Sequence, residues 1–109
     1  MSGVVTIRSM HTTAALLLGE WQDALLEDYR RLLEGLVPDR TYWKHNDPRH
    51  SDCDRQNAAA HLRTLFLGSS VSLPVRDGRV ERGKWQSIIF VELDGPRSRS
   101  VGIDVRTMG

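Results

Sequence analysis

The spacing of apolar residues changes several times along the chain, and each change marks an element. Val5 and Ile7 alternate with Thr6 and Arg8, which predicts a strand from Gly3 to Ser9. Ala14 to Leu18 is a continuous apolar run, the pattern of a strand buried on both faces, and it ends at Gly19-Glu20. Trp21, Leu25, Tyr29, Leu32, Leu33 and Leu36 then recur at helical spacing, with Gln22, Asp23, Glu27, Arg30, Arg31 and Glu34 between them. This predicts a helix from Trp21 to Val37 with Trp21 and Tyr29 in the core and the charged residues solvated, closed by Pro38.

Residues 39–54 are polar and irregular, the signature of a long functional or mobile loop. The alanines and leucines of residues 56–68 predict a second helix, with Asp54 as N-cap and Gly68 as its stop. Leu62, Leu65 and Phe66 form its apolar stripe. Asn57 and His61 stand one turn apart beside that stripe, so His61 is expected where the core opens into a polar pocket.

Beyond Gly68 the period falls to two. Val71, Leu73 and Val75 alternate with Ser70, Ser72 and Pro74, and Asp77-Gly78 is a hairpin turn. Pro74 suggests an edge position or a bulge. A long strand is expected from Trp85 to Leu93, a turn at Asp94-Gly95-Pro96-Arg97, and a last strand on Val101, Ile103 and Val105, with Gly102, Asp104 and Arg106 on its other face. The C-terminal half therefore reads as an antiparallel meander, and the whole as an α+β fold with two helices on one side of a sheet.

Composition narrows the classes. The 109 residues predict one domain, 1–109. Hydrophobic residues make up 39%, charged residues 27%, and the net charge is +1, so no strong field points to nucleic acid or membrane. Arginines far outnumber lysines, which hints at anion contacts. The single cysteine, Cys53, forms no internal disulfide and has no CxxC partner, so a cytoplasmic location and no catalytic thiol are expected. No apolar run is long enough to span a bilayer, and Met1-Ser2-Gly3 does not open a signal peptide.

The chemistry-bearing residues are the four histidines, His11, His45, His50 and His61. No HExxH or CxxC spacing links them; His11, His45 and His61 are equally readable as surface or hydrogen-bonded core residues, and His50 is expected to be such a residue. Convergence of three neutral imidazoles would suit zinc or a similar metal, with Glu20 as general base or fourth ligand. Asp47, Asp52 and Asp54 could collect a hard cation or form a loose acidic loop. Arg97 and Arg99 could hold phosphate or form a charged turn.

The order His11-Thr12-Thr13-Ala14, Glu20, His45, Asn57-Ala58-Ala59-Ala60-His61-Leu62, Gly68, Pro74-Val75, Asp77-Gly78, Gly83-Lys84-Trp85-Gln86, Glu92, Asp94-Gly95-Pro96-Arg97 resembles the YjbQ-like family, from about Gly3 to the C-terminus. The resemblance implies a compact α+β sandwich that assembles as a homotrimer, with polar pockets near subunit contacts. It implies that His11, His45 and His61 converge on a metal or anion, with Asn57, Glu20, Trp85 and Gln86 lining the same region; His50 matches no family position. Gly19, Ala59 and Lys84 depart from the family's usual residues. A leading strand and helical segment usual in relatives are not matched, which implies an uncovered sheet edge or core.

The implied activity is of secondary thiamine-phosphate synthase type, joining a pyrimidine pyrophosphate to a thiazole phosphate. Glu20 and His61 are then the catalytic candidates, His11, His45 and His61 the metal ligands, and Asn57, Trp85, Gln86 and Arg97 the substrate contacts. A divalent metal is implied, zinc-like by ligand type, or magnesium for the synthase chemistry, although magnesium prefers oxygen ligands. The alternatives are a non-catalytic trimer that binds a metal or phosphorylated metabolite, and a metal-assisted hydrolase of a small phosphate ester.

Overall fold

The computed structural model describes residues 1–108. Two antiparallel sheets stack face to face, and two helices complete a mixed α+β fold. The strands are β1 (Gly3–Ser9), β2 (Ala14–Gly19), β3 (Ser70–Arg76), β4 (Arg79–Val80), β5 (Ser87–Glu92) and β6 (Val101–Thr107). The helices are α1 (Asp23–Leu36) and α2 (Ala58–Arg63). One sheet has the order β4-β3-β1-β6, and the other pairs β2 with β5.

Strand composition explains this sorting. In β1 and β3 polar and apolar residues alternate, so each has one wet face; Thr6 and Ser72 share a 2.8 Å hydroxyl hydrogen bond on it. Their apolar faces bring Val5 opposite Leu73 and Ile7 opposite Val71. In β2 and β5 the apolar residues run together, and these two strands pair with one another inside the fold. The expected meander is therefore not formed, because β5 crosses to β2 instead of joining its sequence neighbours. Val5, Leu16, Val71, Leu73 and Val75 form the core, with Ile7, Leu18, Ile88 and Phe90 packed against it. Leu16 N–H also donates to Gly68 O at 2.8 Å, tying the second sheet to the exit of α2.

Local signals in the first sheet are met with adjustments. Asp77 and Gly78 both have positive φ, 51° and 74°, as the tight hairpin requires. Pro74 lies in β3, which is an inner strand and not an edge. It is tolerated because β4 pairs only with Val75 and Arg76, so no ladder bond is lost at Pro74, whose carbonyl still accepts from Glu81 N–H at 2.8 Å. Gly3 is required: a Cβ there would collide with the Arg106 carbonyl oxygen.

Two burial expectations and one strand boundary are corrected. Helix α1 buries none of its residues, and Trp21 just ahead of it is 63% exposed. Its apolar stripe is amphipathic but only half covered; Leu26, Tyr29 and Leu33 face Leu17, Ile89 and Leu93 across a groove of about 570 Å³. The stripe Leu62, Leu65, Phe66 is not core either: Leu65 is 76% exposed, and Ala58, Ala59 and Ala60 are the buried residues of α2. Small side chains there allow a close approach that leucines would prevent. Trp85 precedes β5 in a turn and is 67% exposed, so the strand begins two residues later than expected.

Uncovered apolar surface is the fold's main departure from a self-sufficient monomer. By register, Val105, Ile103 and Val101 of β6 lie opposite Val5, Ile7 and Ser9, yet Ile103 is 65% exposed. A two-stranded sheet is too narrow to cover a four-stranded one. The accessible surface is 7969 Å², against about 6,100 Å² for a compact monomer of this mass. The radius of gyration is 16.6 Å, against about 13 Å for a compact chain of this length.

Candidate functional site

The loop between the helices is built around one carboxylate. Asp47 accepts from Tyr42 Oη at 2.6 Å, from the Arg49 backbone N–H at 2.9 Å and from the Arg49 guanidinium at 3.0 Å. Its carbonyl accepts from His50 N–H and Ser51 N–H, both at 2.9 Å. The Arg49 contacts, then the Tyr42 hydroxyl, hold the Asp47 carboxyl well below the usual range. Its oxygens are thus occupied by the loop itself, and Asp47 is a structural hub in place of the cation ligand that an acidic loop suggested.

A 3-10 turn at Lys44–Asn46 then delivers two side chains to the start of α2. Asn46 Oδ1 accepts from Ala58 N–H at 3.0 Å and caps the helix. The expected cap, Asp54, does not serve. Asn57 occupies the N-cap position without capping, because its side chain is turned elsewhere. The His45 Nε2 atom lies 2.9 Å from Asn57 Oδ1, and Asn57 Nδ2 donates to Asp94 Oδ2 at 2.8 Å. Cys53 Sγ donates to the same Asn57 oxygen at 3.6 Å. Gln56, just before, has φ 53°, a strained conformation for a residue with a side chain.

His61, one turn along α2, packs edge-to-face on His45 with ring centroids 4.7 Å apart and an interplanar angle of 74°. Burial, and then the proximity of His45, push the His61 pKa down, which favours a neutral ring. The third member of the cluster comes from the turn after β5. Asp94 binds the Arg55 guanidinium at 2.7 and 3.1 Å and Arg97 at 3.4 Å. The Arg55 contact above all, with help from Asn57, lowers its pKa to about 2. Two guanidiniums thus meet on the one carboxylate whose charge reaches His61. In the same loop, the Trp43 indole N–H is buried with no acceptor among the described residues.

The expected site residues divide into two groups. His45, Asn57 and His61 meet, and Arg97 reaches them through Asp94. His11 is engaged separately: its Nε2 accepts from Ser100 N–H at 2.8 Å. Glu20 is exposed and makes no hydrogen bond among the described residues. Lys84 lies 5.0 Å over the Trp85 ring, and Gln86 Oε1 accepts from Gly83 N–H at 2.8 Å, so both serve the turn before β5. Among the described residues no group of three histidine, cysteine, aspartate or glutamate side chains is placed to hold a metal ion.

Asp94 and Arg55 were not singled out from the sequence, although Asp94 begins the Asp94-Gly95-Pro96-Arg97 turn. Arg99 was expected as a phosphate contact or part of a charged turn, and its pairing with Glu92 was not foreseen. The Arg99 side chain is only 6% exposed and binds Glu92 at 2.6 and 2.8 Å and Thr13 Oγ1 at 2.8 Å. It is a brace between β5 and the start of β2, not a free anion ligand.

A family model described as UPF0047 protein YjbQ-like matches residues 1–108. A UPF0047 protein of Archaeoglobus fulgidus is 43% identical over 99 residues, covering 91% of this chain and 74% of that protein. One from Methanothermobacter thermautotrophicus is 39% identical over 104 residues, covering 95% and 68%. Among solved structures, a protein of unknown function from Sulfolobus solfataricus is 38% identical with a TM-score of 0.85, covering 95% of this chain and 72% of its own. A hypothetical protein from Aeropyrum pernix is 36% identical with a TM-score of 0.86, covering 98% and 75%.

Proposed function

The chain belongs to the YjbQ-like UPF0047 family, and on that premise we propose that it acts as one domain in a homotrimer that binds a small phosphorylated metabolite beside His45 and His61. The observation that carries this reading is the imidazole pair, tied through Asn57 to Asp94 and flanked by Arg55 and Arg97. Neutral imidazoles accept or donate single protons near neutral pH, and guanidiniums match phosphate oxygens. The trimer is supported by the surface excess of about 1,900 Å². Two contacts of ordinary size would hide about 1,600 Å² of each subunit.

The activity proposed for this pocket is transfer of the thiamine-phosphate synthase type. The thiazole nitrogen attacks the pyrimidine methylene carbon, the carbon–oxygen bond breaks, and pyrophosphate leaves with its electron pair. Arg55 and Arg97 would stabilise the charge that develops on the leaving oxygens. His61 would supply a proton or a hydrogen bond to them. The donor set of one chain does not fit a resident metal. His11 Nε2 is spent on Ser100, and two imidazoles without a third ligand make an incomplete zinc site. Any third ligand would have to come from a neighbouring subunit, and no step is routed through a metal. The Asp94 carboxylate beside the imidazole pair opposes a highly charged leaving group, which favours binding without turnover as the second reading.

The test is pyrophosphate release from the two thiamine precursors by purified protein. The synthase reading expects release in the wild type and at least a tenfold loss in both His45→Ala and His61→Ala. Phosphate binding without release leaves the binding reading alone. Equal rates in the wild type and both variants exclude this pocket.

A further inference from the structure

We infer that Asp94 is a positioning residue that fixes which nitrogen of His45 faces the pocket. Asp94 Oδ2 takes donors from Arg55, Asn57 and Arg97 and, as a carboxylate, can only accept. The Asn57 atom facing it is therefore the amide nitrogen. The other end of that amide, 2.9 Å from His45 Nε2, is then the oxygen. An oxygen there demands a proton on Nε2, so the neutral His45 ring keeps its lone pair on Nδ1. Nδ1 makes no hydrogen bond among the described residues and is the atom left to accept from a ligand. Cys53 Sγ lies 3.6 Å from the same amide oxygen, a contact a thiol makes in either orientation of the amide. Without Asp94 the amide could rotate by half a turn and offer its nitrogen to His45, which would invert the imidazole.

This deepens the proposed function in naming the working atom of His45, and its test needs neither ligand nor activity. Nitrogen-15 spectra of the wild-type protein, at a pH where the rings are neutral, should show a pyrrole-type Nε2 and a pyridine-type Nδ1 for His45, with a protected Nε2–H proton. Asp94→Ala should lose that protected proton and average the two shifts. Asp94→Asn, which keeps an oxygen for Asn57, should restore the single tautomer. His61→Ala, which leaves the relay intact, should retain it. A protected Nε2–H unchanged in Asp94→Ala overturns the role of Asp94. If neither Asp94 variant folds, the wild-type spectrum still decides, because a pyridine-type Nε2 on His45 overturns the assignment. A correct tautomer without pyrophosphate release would count against the proposed reaction alone, so the two failures are distinct.

Discussion

His61 should make the protein less stable in mild acid, and its removal should abolish that effect. The ring is partly buried on α2 against His45, and burial is the main force lowering its pKa. A histidine with a depressed folded pKa binds its proton more readily when unfolded, near pH 6.5. Its neutral form is therefore compatible with folding above that value. As pH falls below it, the unfolded state gains protons first and stability declines, until the folded pKa is reached. The slope for one such proton is at most about 1.4 kcal/mol per pH unit. Partial exposure of the ring and the opposing charge of Asp94 reduce the expected share to about 0.5 kcal/mol per unit. Urea unfolding at pH 7.5, 6.5 and 5.5 and one protein concentration would measure it, with His61→Gln as the reference that retains other titrations. The difference in stability between the two proteins should shrink steadily toward pH 5.5. A difference that is constant or grows as pH falls would refute the burial argument.

Three further outcomes follow from the packing. Leu16→Ala should cost about 3 kcal/mol in urea unfolding, since Leu16 is buried between the sheets and its loss leaves a cavity; a cost below about 1 kcal/mol would mean the sheets close over it. Arg99→Leu should lower the melting temperature markedly, and Glu92→Gln in that background should then change little, because the two form one brace with Thr13; additive losses would show that they act separately. Gln56→Gly should be neutral or stabilising and Gln56→Val destabilising by about 1 kcal/mol or more, because only the positive φ distinguishes them; thermal melts of both variants test it.

Some of this was written locally in the sequence. Alternation in β1, the continuous run of β2, the Asp77-Gly78 turn and the length of α1 are short-range signals, and the fold class follows from them. The choice of β2 as partner for β5 is not local: it depends on both strands being apolar on two faces, which is a property of the assembled layers. Burial of α1 misled because an amphipathic helix specifies that its stripe needs cover, not that its own chain supplies it. At the site, Asn57 and His61 were readable because one helical turn sets them side by side. His45 stood among four histidines as a candidate, and the family resemblance grouped it with His61. Asp94 and Arg55 were missed because they are 39 residues apart in sequence and each sits in a segment that reads as a polar turn. Nothing short of the fold brings the Arg55 guanidinium and the Asn57 amide onto one carboxylate.

Pyrophosphate titration followed through the four histidine ring signals decides whether the interhelical loop, α2 and the turn at Asp94 form one ligand pocket. The ring signals of His45 and His61 should move together and saturate, while that of His50 stays in place. Saturable shifts confined to His50, or none at any histidine, would contradict it.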